Sequence, residues 1–292
     1  MKPIIKWVGG KTQILGKVLH SFPKEMTNYH EIFVGGGSVL LSLLSSKDIT
    51  VKGKVYAYDK NQKLINMYRQ IQTNPKEVHE HLVDLFTKYD TRTGTEVNRK
   101  PENEEEGMTS KESYYYWVRK MHNEFIPNTP IHAAIFIFLN KTCFRGVYRE
   151  GPNGFNVPYG HYKTTPLVIP LEDLVKMQNL IKNVIFKWCD FRAAFAQTVN
   201  DGDFIYADPP YAPLSVKSFV GYTRDGFGMD DHTDLFYLLK STDIDFVMSN
   251  AKVNIVTSIF KDYKIEDIIA RRSIHSKDPS SYTTEVLISN IY

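Results

Sequence analysis

The chain has 292 residues, 42% of them apolar, and a formal net charge of +3, which is too mild to imply a nucleic-acid partner by itself. That length can bury a sizeable core, either as one large domain or as a domain carrying a second lobe. Two cysteines, Cys143 and Cys189, exclude a disulfide framework and lack metal-ligand spacing; the start of the chain does not read as a signal peptide; and the longest apolar run, 131–139, is too short to span a membrane.

In chain order, Ile14, Leu15, Val18 and Leu19 give helical spacing over 13–20. Residues 30–34 read as a short strand breaking into Gly35-Gly36-Gly37, and Ser38 is placed as the N-cap of an apolar helix over 39–44. A strand over 54–58 ends at Asp59, and a helix follows over 62–71. The character then changes. Residues 76–89 and 113–125 pattern as amphipathic helices, and the polar stretch 91–111 between them as a mobile loop with Glu104-Glu105-Glu106 solvated. A buried helix over 131–142 leads into 144–162, whose Gly, Pro, Arg and aromatic residues suggest a hairpin or ordered loop. The α/β pattern resumes with a helix over 171–181, strands over 184–188, 203–207 and 245–248, a helix over 232–240 and a closing strand over 284–291. This predicts an α/β domain split between 1–61 and 166–292, with a mostly helical insert over 62–165.

Asp208-Pro209-Pro210-Tyr211 follows directly on the apolar strand Phe204-Ile205-Tyr206-Ala207. The carboxyl end of a strand is where open α/β sheets bind ligands. An amino nitrogen conjugated to a purine is a poor nucleophile, because its lone pair is delocalised into the ring. Two acceptors aimed at its hydrogens localise that pair. Asp208 can supply a carboxylate oxygen, and Pro209 a carbonyl held by the ring-locked φ angles of Pro209 and Pro210. Tyr211 offers an aromatic face for stacking an extruded base. Read alone, the tetrapeptide is also an ordinary proline-rich turn.

Four further elements suit a nucleotide-like cofactor. In Lys6-Trp7-Val8-Gly9-Gly10-Lys11, Gly9 and Gly10 let a ligand approach backbone amides, and Lys11 can meet a carboxylate. Phe33-Val34-Gly35-Gly36-Gly37-Ser38 is a glycine turn permitting close backbone approach, though not the G-x-G-x-x-G fingerprint. Asp59, at the end of the next strand, suits a ribose diol. Asp190-Phe191 pairs an acceptor with an aromatic ring, as an adenine requires. Asp59 and Asp190 also read as helix N-caps.

Together these residues resemble the Dam-like DNA adenine-N6 methyltransferases, the D12 or alpha-group class whose recognition region lies between the glycine and Asp-Pro-Pro-Tyr motifs. The resemblance runs almost end to end, through 6–11, 31–38, 59–61, 144–162, Asp190-Phe191, 208–211 and Ser249-Asn250. It implies a Rossmann-like S-adenosylmethionine-dependent methyltransferase fold with a seven-stranded sheet, base flipping, and a mechanism that needs no metal. It implies that Trp7 and Lys11 contact the S-adenosylmethionine donor, and that Phe33 and the turn from Gly35 to Gly37, leading into Ser38, form the wall beside it. Asp59 would hold the ribose hydroxyls, Asp190 and Phe191 the donor's adenine, and Asp208 would lie where donor and target meet.

Between Lys141 and Lys163, the cations Lys141, Arg145, Arg149 and Lys163 stand against one anion, Glu150, interleaved with Phe144, Tyr148, Phe155 and Tyr159. An arginine reaches guanine O6 and N7 together, and aromatics can wedge into the gap left by a flipped base. The plainer reading is a solvated basic hairpin packed on the core. In the Dam-like family a matching hairpin reads the major groove of double-stranded DNA. Arg149 and Val147 fall on its base-reading positions, Phe144 on its wedge, Pro158 on a proline near the target, and Lys6 on a lysine that reaches an outer base. Arg145 stands where the family usually has Asn, which turns the expected palindrome toward CATG ahead of GATC. Arg271, Arg272 and Lys277 are candidate phosphate clamps. The expected setting is cytoplasmic, at the nucleoid or in a viral host, with no membrane. A monomer on DNA is the default, dimerisation is left open, and a cognate restriction endonuclease is a further candidate partner. Two rivals remain at this stage: a methyltransferase acting on RNA or a protein amide, and a non-catalytic DNA-binding regulator on the same fold.

Overall fold

The computed structural model describes residues 1–124, 128–198, 201–212, 226–271 and 282–291. The chain divides into two compact units, one of 11–60 and 183–292, the other of 1–10 and 61–182. Residues 1–10 and 166–182 thus group with the helices, whereas the sequence pattern joins them to the sheet.

The first unit holds β1 (Tyr29–Glu31), β2 (Val55–Asp59), β3 (Val184–Trp188), β4 (Phe204–Ala207), β5 (Asp245–Ala251), β6 (Lys264–Arg271) and β7 (Tyr282–Ser289). They form one seven-stranded sheet in the order β3-β2-β1-β4-β5-β7-β6, in which β7 runs antiparallel to both neighbours and β1 to β5 pair parallel. The fold class implied by the resemblance is therefore observed. A strand covered on both faces reads as an unbroken apolar run, and all of β4 is buried. Phe204 and Tyr206 meet Phe22, with ring centroids 4.7 and 5.4 Å away. Ile205 and Ala207 join the opposite core with Leu235, Phe236 and Leu239. The expected strands gain or lose a few residues at their ends, but β6 was not anticipated. It is an edge strand carrying Lys264, Glu266 and Asp267, in which Ile268 is buried and Ile269 is 70% exposed, so its apolar signal is short.

The strand order reverses between β1 and β4. Glu31 pairs with Tyr206, and Ile32 donates its N–H to the Tyr206 carbonyl at 3.0 Å. The loops that follow β1 and β4 therefore leave the sheet side by side, at the switch point where open sheets bind ligands.

Among the described residues the α-helices, in chain order, are α1 (Leu15–His20), α2 (Ser38–Leu44), α3 (Gln62–Thr73), α4 (Pro75–Asp90), α5 (Glu104–Gly107), α6 (Lys111–Glu124), α7 (Pro130–Thr142), α8 (Leu171–Ile181), α9 (Phe191–Phe195), α10 (Met229–Ser241) and α11 (Asn254–Ile259). The second unit packs α3, α4 and α6 around the buried α7, with α8 against α3 and α4; the Phe138 ring of α7 meets Phe86 at 5.0 Å and Tyr89 at 5.6 Å. The stretch expected as a mobile loop is tied down. Asn103 caps α5 by accepting the Glu106 N–H at 2.9 Å, and Ser113 Oγ accepts the Asn98 N–H at 2.8 Å. The three glutamates sit in the first turn of α5, where the helix dipole favours anions. Residues Glu150–Gly151 and Gly154–Phe155 form the expected hairpin. Asn123 bonds both backbone groups of Phe155, at 2.8 and 3.0 Å, and Tyr115 donates to the Val157 carbonyl at 2.7 Å. Among the described residues, no helix is long and apolar enough to cross a membrane.

Candidate active site

The glycine turn owes its shape to backbone freedom. Gly37 lies at φ 72° just before α2 and Gly35 at φ 48°, conformations that L side chains disfavour. Ser38 is the first residue of α2 and not its N-cap; the left-handed Gly37 holds that place without a side-chain bond. The Ser38 hydroxyl instead accepts the Lys11 N–H at 3.1 Å. Asp59 does not cap α3 either, because Asn61 does so by accepting the Leu64 N–H at 2.9 Å. Asp59 Oδ2 accepts the Gly35 N–H at 3.0 Å and ties the turn to the end of β2.

Lys11 is the link to the tetrapeptide. Its Nζ lies 2.7 Å from Asp208 Oδ1, with the lysine side chain 4% and the aspartate 17% exposed. Burial pushes the Asp208 carboxyl up to about 6, Lys11 pulls the other way, and Glu285 adds to the rise. The same Nζ stands 4.8 Å from the centre of the Tyr211 ring, and the Tyr211 hydroxyl donates to Glu285 Oε2 at 2.7 Å. Buried Asn250 accepts the N–H of Ala212 at 3.1 Å and that of Ala251 at 2.8 Å, pinning the residue after the tetrapeptide to β5. Burial pushes the Glu31 carboxyl up to about 8, against the Tyr29 hydroxyl that donates to it at 2.8 Å.

Asp190 caps α9: its Oδ1 accepts the Arg192 N–H at 3.0 Å and takes the Arg192 guanidinium at 3.1 Å. Arg192 also bridges Asp231 at 2.8 Å and Asp234 at 2.6 Å. Phe33, Phe191 and Phe227 form a three-ring wall, with centroids 5.8, 5.6 and 5.5 Å apart. Among the described residues, no group of three or more His, Cys, Asp or Glu is placed to hold a metal ion.

The model of the D12 class N6 adenine-specific DNA methyltransferases matches residues 7–274. The chain belongs to that family. It is 32% identical to the type II methyltransferase M1.LlaDCHI of Lactococcus lactis subsp. cremoris, over 99% of this chain and 95% of the relative. It is 33% identical to the type II methyltransferase M.MjaIII of Methanocaldococcus jannaschii, over 95% and 94%. A DNA adenine methylase of Haemophilus influenzae is 28% identical over 99% and 93%. The protein is therefore an adenine-specific DNA methyltransferase, which favours DNA over the RNA, protein-amide and non-catalytic readings.

Those of the methyltransferase's remaining expected residues that fall in 1–10 and 144–158 lie in the helical unit. Trp7 stacks on Tyr148 at 5.4 Å and on Phe136 at 6.2 Å, Gly9 has φ 80°, and the Gly10 N–H turns back to the Trp7 carbonyl at 3.3 Å. Phe144 is 48% exposed, and its N–H donates to the Pro158 carbonyl at 2.9 Å. The Arg145 guanidinium lies 5.1 Å from the Phe144 ring centre. Arg149 Nε donates to Asn156 Oδ1 at 2.7 Å, and Val147 follows the turn 144–146 in an extended conformation. Arg271 ends β6, whereas Arg272 and Lys277 lie outside the described residues. Sequence reasoning missed Glu285, Glu31 and Phe227. The available signal for the first two was a carboxylate inside a strand, Glu31 beside His30 and Glu285 after Thr283-Thr284; for Phe227 there was none.

Proposed function

We propose that this methyltransferase transfers the methyl group of S-adenosylmethionine to N6 of an adenine flipped out of double-stranded DNA, within a short palindrome of CATG or GATC type. The Lys11–Asp208 pair carries the reading: one cation joins the carboxylate after β4 to the segment that bonds Ser38 at the start of α2. The residues fit the donor by their chemistry. Lys11 is a buried cation suited to a carboxylate, and half-buried Asp59 suits a ribose diol. The Phe33–Phe191 wall beside Asp190 suits an adenine, and Gly35 and Gly37 allow close main-chain approach. Trp7, Gly9 and Gly10 join this set on the resemblance.

When bound, the donor supplies a methyl carbon already activated by a positively charged sulfur. The remaining work falls to side chains. Asp208 and the Pro209 carbonyl accept from the adenine amino hydrogens and localise the nitrogen lone pair, while Pro210 helps to hold that carbonyl. Holding donor and amino nitrogen in line removes much of the entropic barrier. Tyr211 stacks the extruded base and offsets part of the roughly few kcal/mol that extrusion costs. The released proton passes to solvent.

In this reading 1–61 and 166–292 serve catalysis and 62–165 target recognition. Arg149, Val147, Arg145 and Lys6 read bases, Phe144 wedges, and Pro158 lines the approach of the target. The enzyme works as a monomer on DNA in the cytoplasm, beside a cognate restriction endonuclease. Methylation of mixed genomic DNA, followed by modification-sensitive sequencing, reports base and site together. N6-methyladenine in one short palindrome is the expected result. Methylated cytosine, or no sequence preference, would overturn it.

A further inference from the structure

Lys6 and the hairpin root are far apart in sequence yet joined by a single side chain. Asn140, in the last turn of α7, is 4% exposed. Its Oδ1 accepts the Lys6 N–H at 2.9 Å, and its Nδ2 donates to the Lys6 carbonyl at 2.8 Å and to the Gly146 carbonyl at 3.1 Å. A side-chain amide offers one acceptor group and two donors, and here all are used on the main chain of those two segments. The opposite orientation of the amide would set oxygen against two carbonyl oxygens, so this one is enforced.

The contact is close on the other side as well. Gly146 has φ 69°, and a Cβ there would lie 2.8 Å from Lys6 Cβ and Cδ and 3.2 Å from the Asn140 carbonyl oxygen. Lys6 Nζ stands 5.8 Å from the ring centre of Tyr162, whose hydroxyl donates to the Cys143 carbonyl at 2.7 Å. Both ends of the hairpin segment thus hold Lys6. The Trp7–Tyr148–Phe136 stack closes the seam from the next residue on.

We infer that Asn140 is a positioning residue for sequence recognition: it touches no base, but locks Lys6 and the hairpin root into one reading head. The inference rests on the proposal that Lys6 and the hairpin read bases. Losing the lock lets Lys6 drift while the hairpin stays anchored through Asn123 and Tyr115. Discrimination then falls at the outer base pair and persists at the inner ones.

The test compares kcat/KM on the preferred duplex with duplexes altered singly at the outer or inner pairs, for the wild type, Asn140→Ala, Lys6→Ala and the double variant. The expected result is an outer-pair preference about tenfold weaker in Asn140→Ala, the scale of one base contact. The inner-pair preference should stay within about twofold, and the double variant should be no worse than Lys6→Ala, because coupled residues are not additive. Gly146→Ala, which pushes Lys6 from the opposite side, should reproduce the pattern if Asn140→Ala is poorly folded. An even loss on all duplexes in both variants, or full additivity with Lys6→Ala, overturns the inference. If Lys6→Ala itself leaves outer-pair preference intact, the base-reading assignment of Lys6 fails first, which is a separate outcome.

Discussion

Lys11 Nζ and Asp208 Oδ1 stand 2.7 Å apart, so the cation suited to a donor carboxylate also holds the carboxylate suited to the target amino group. Burial raises the Asp208 carboxyl to about 6 and Lys11 opposes that rise. In the proposed mechanism the ionised form is the acceptor, and protonation removes it. At saturating donor, kcat/KM for DNA should therefore fall as pH drops through about 6 and level off above it. Lys11→Met removes the stabilising charge, so the midpoint should move upward. A pH–rate profile of both proteins checks this, and a midpoint that moves down or stays put contradicts the assignment.

Asp208→Ala should abolish transfer, by at least about a thousandfold, while donor affinity weakens far less. Asp208→Asn keeps an oxygen acceptor without charge and should fall between the two. Single-turnover methylation with calorimetric donor titration separates the effects. Unimpaired turnover by Asp208→Ala would refute the role.

These predictions draw on what the sequence made legible and on what it did not. The tetrapeptide after β4 was readable because a fully buried strand must be apolar throughout, and because two prolines end it abruptly. The Lys11–Asp208 pair was not, since nothing local to either residue encodes a contact across nearly two hundred positions. Ser38 misled because Ser is a good cap; the positive φ that gives the place to Gly37 is a property of the turn. The stretch 91–111 looked structureless because its order comes from side-chain bonds such as Ser113 to Asn98, which leave no apolar period. Glu285 reaches Tyr211 only because β7 returns antiparallel beside β5, a pairing fixed by the whole sheet.

Asp59 accepts the Gly35 N–H at 3.0 Å while suiting a ribose diol. Asp59→Ala loses both, and hydrogen bonds to a charged group are worth about 1.5–3 kcal/mol each. Donor affinity should fall by about tenfold or more, with kcat at saturating donor changed much less. Equilibrium binding of the donor is the measurement, and an unchanged dissociation constant would remove Asp59 from the donor site.

Arg149 is gripped at Nε by Asn156, which directs the two terminal guanidinium nitrogens as a fork. Arg149→Ala should cost about 1–3 kcal/mol of discrimination at one base position. Donor affinity should barely change. Modification-sensitive sequencing should show a relaxed site, and an unaltered methylation pattern would count against the hairpin as the reader.

Arg145 occupies φ 57°, ψ 9°, a left-handed conformation that costs an ordinary L residue roughly 1–2 kcal/mol and Asn less. An arginine at this position is therefore held at an energetic cost. The guanidinium over the Phe144 ring, an exposed cation–π contact worth about 0.5–1 kcal/mol, offsets part of the strain. The strain is the larger of the two, so Arg145→Asn should be mildly stabilising, raising the thermal midpoint by about 1–2 °C. On the proposed reading, in which Arg145 contacts a base, the same change also removes a charge from the DNA contact, so binding should depend less steeply on salt and site choice should shift at one base. Thermal unfolding and salt-dependent binding together test this. A lower midpoint with an unchanged salt slope would mean that the arginine is held there for packing and does not face DNA.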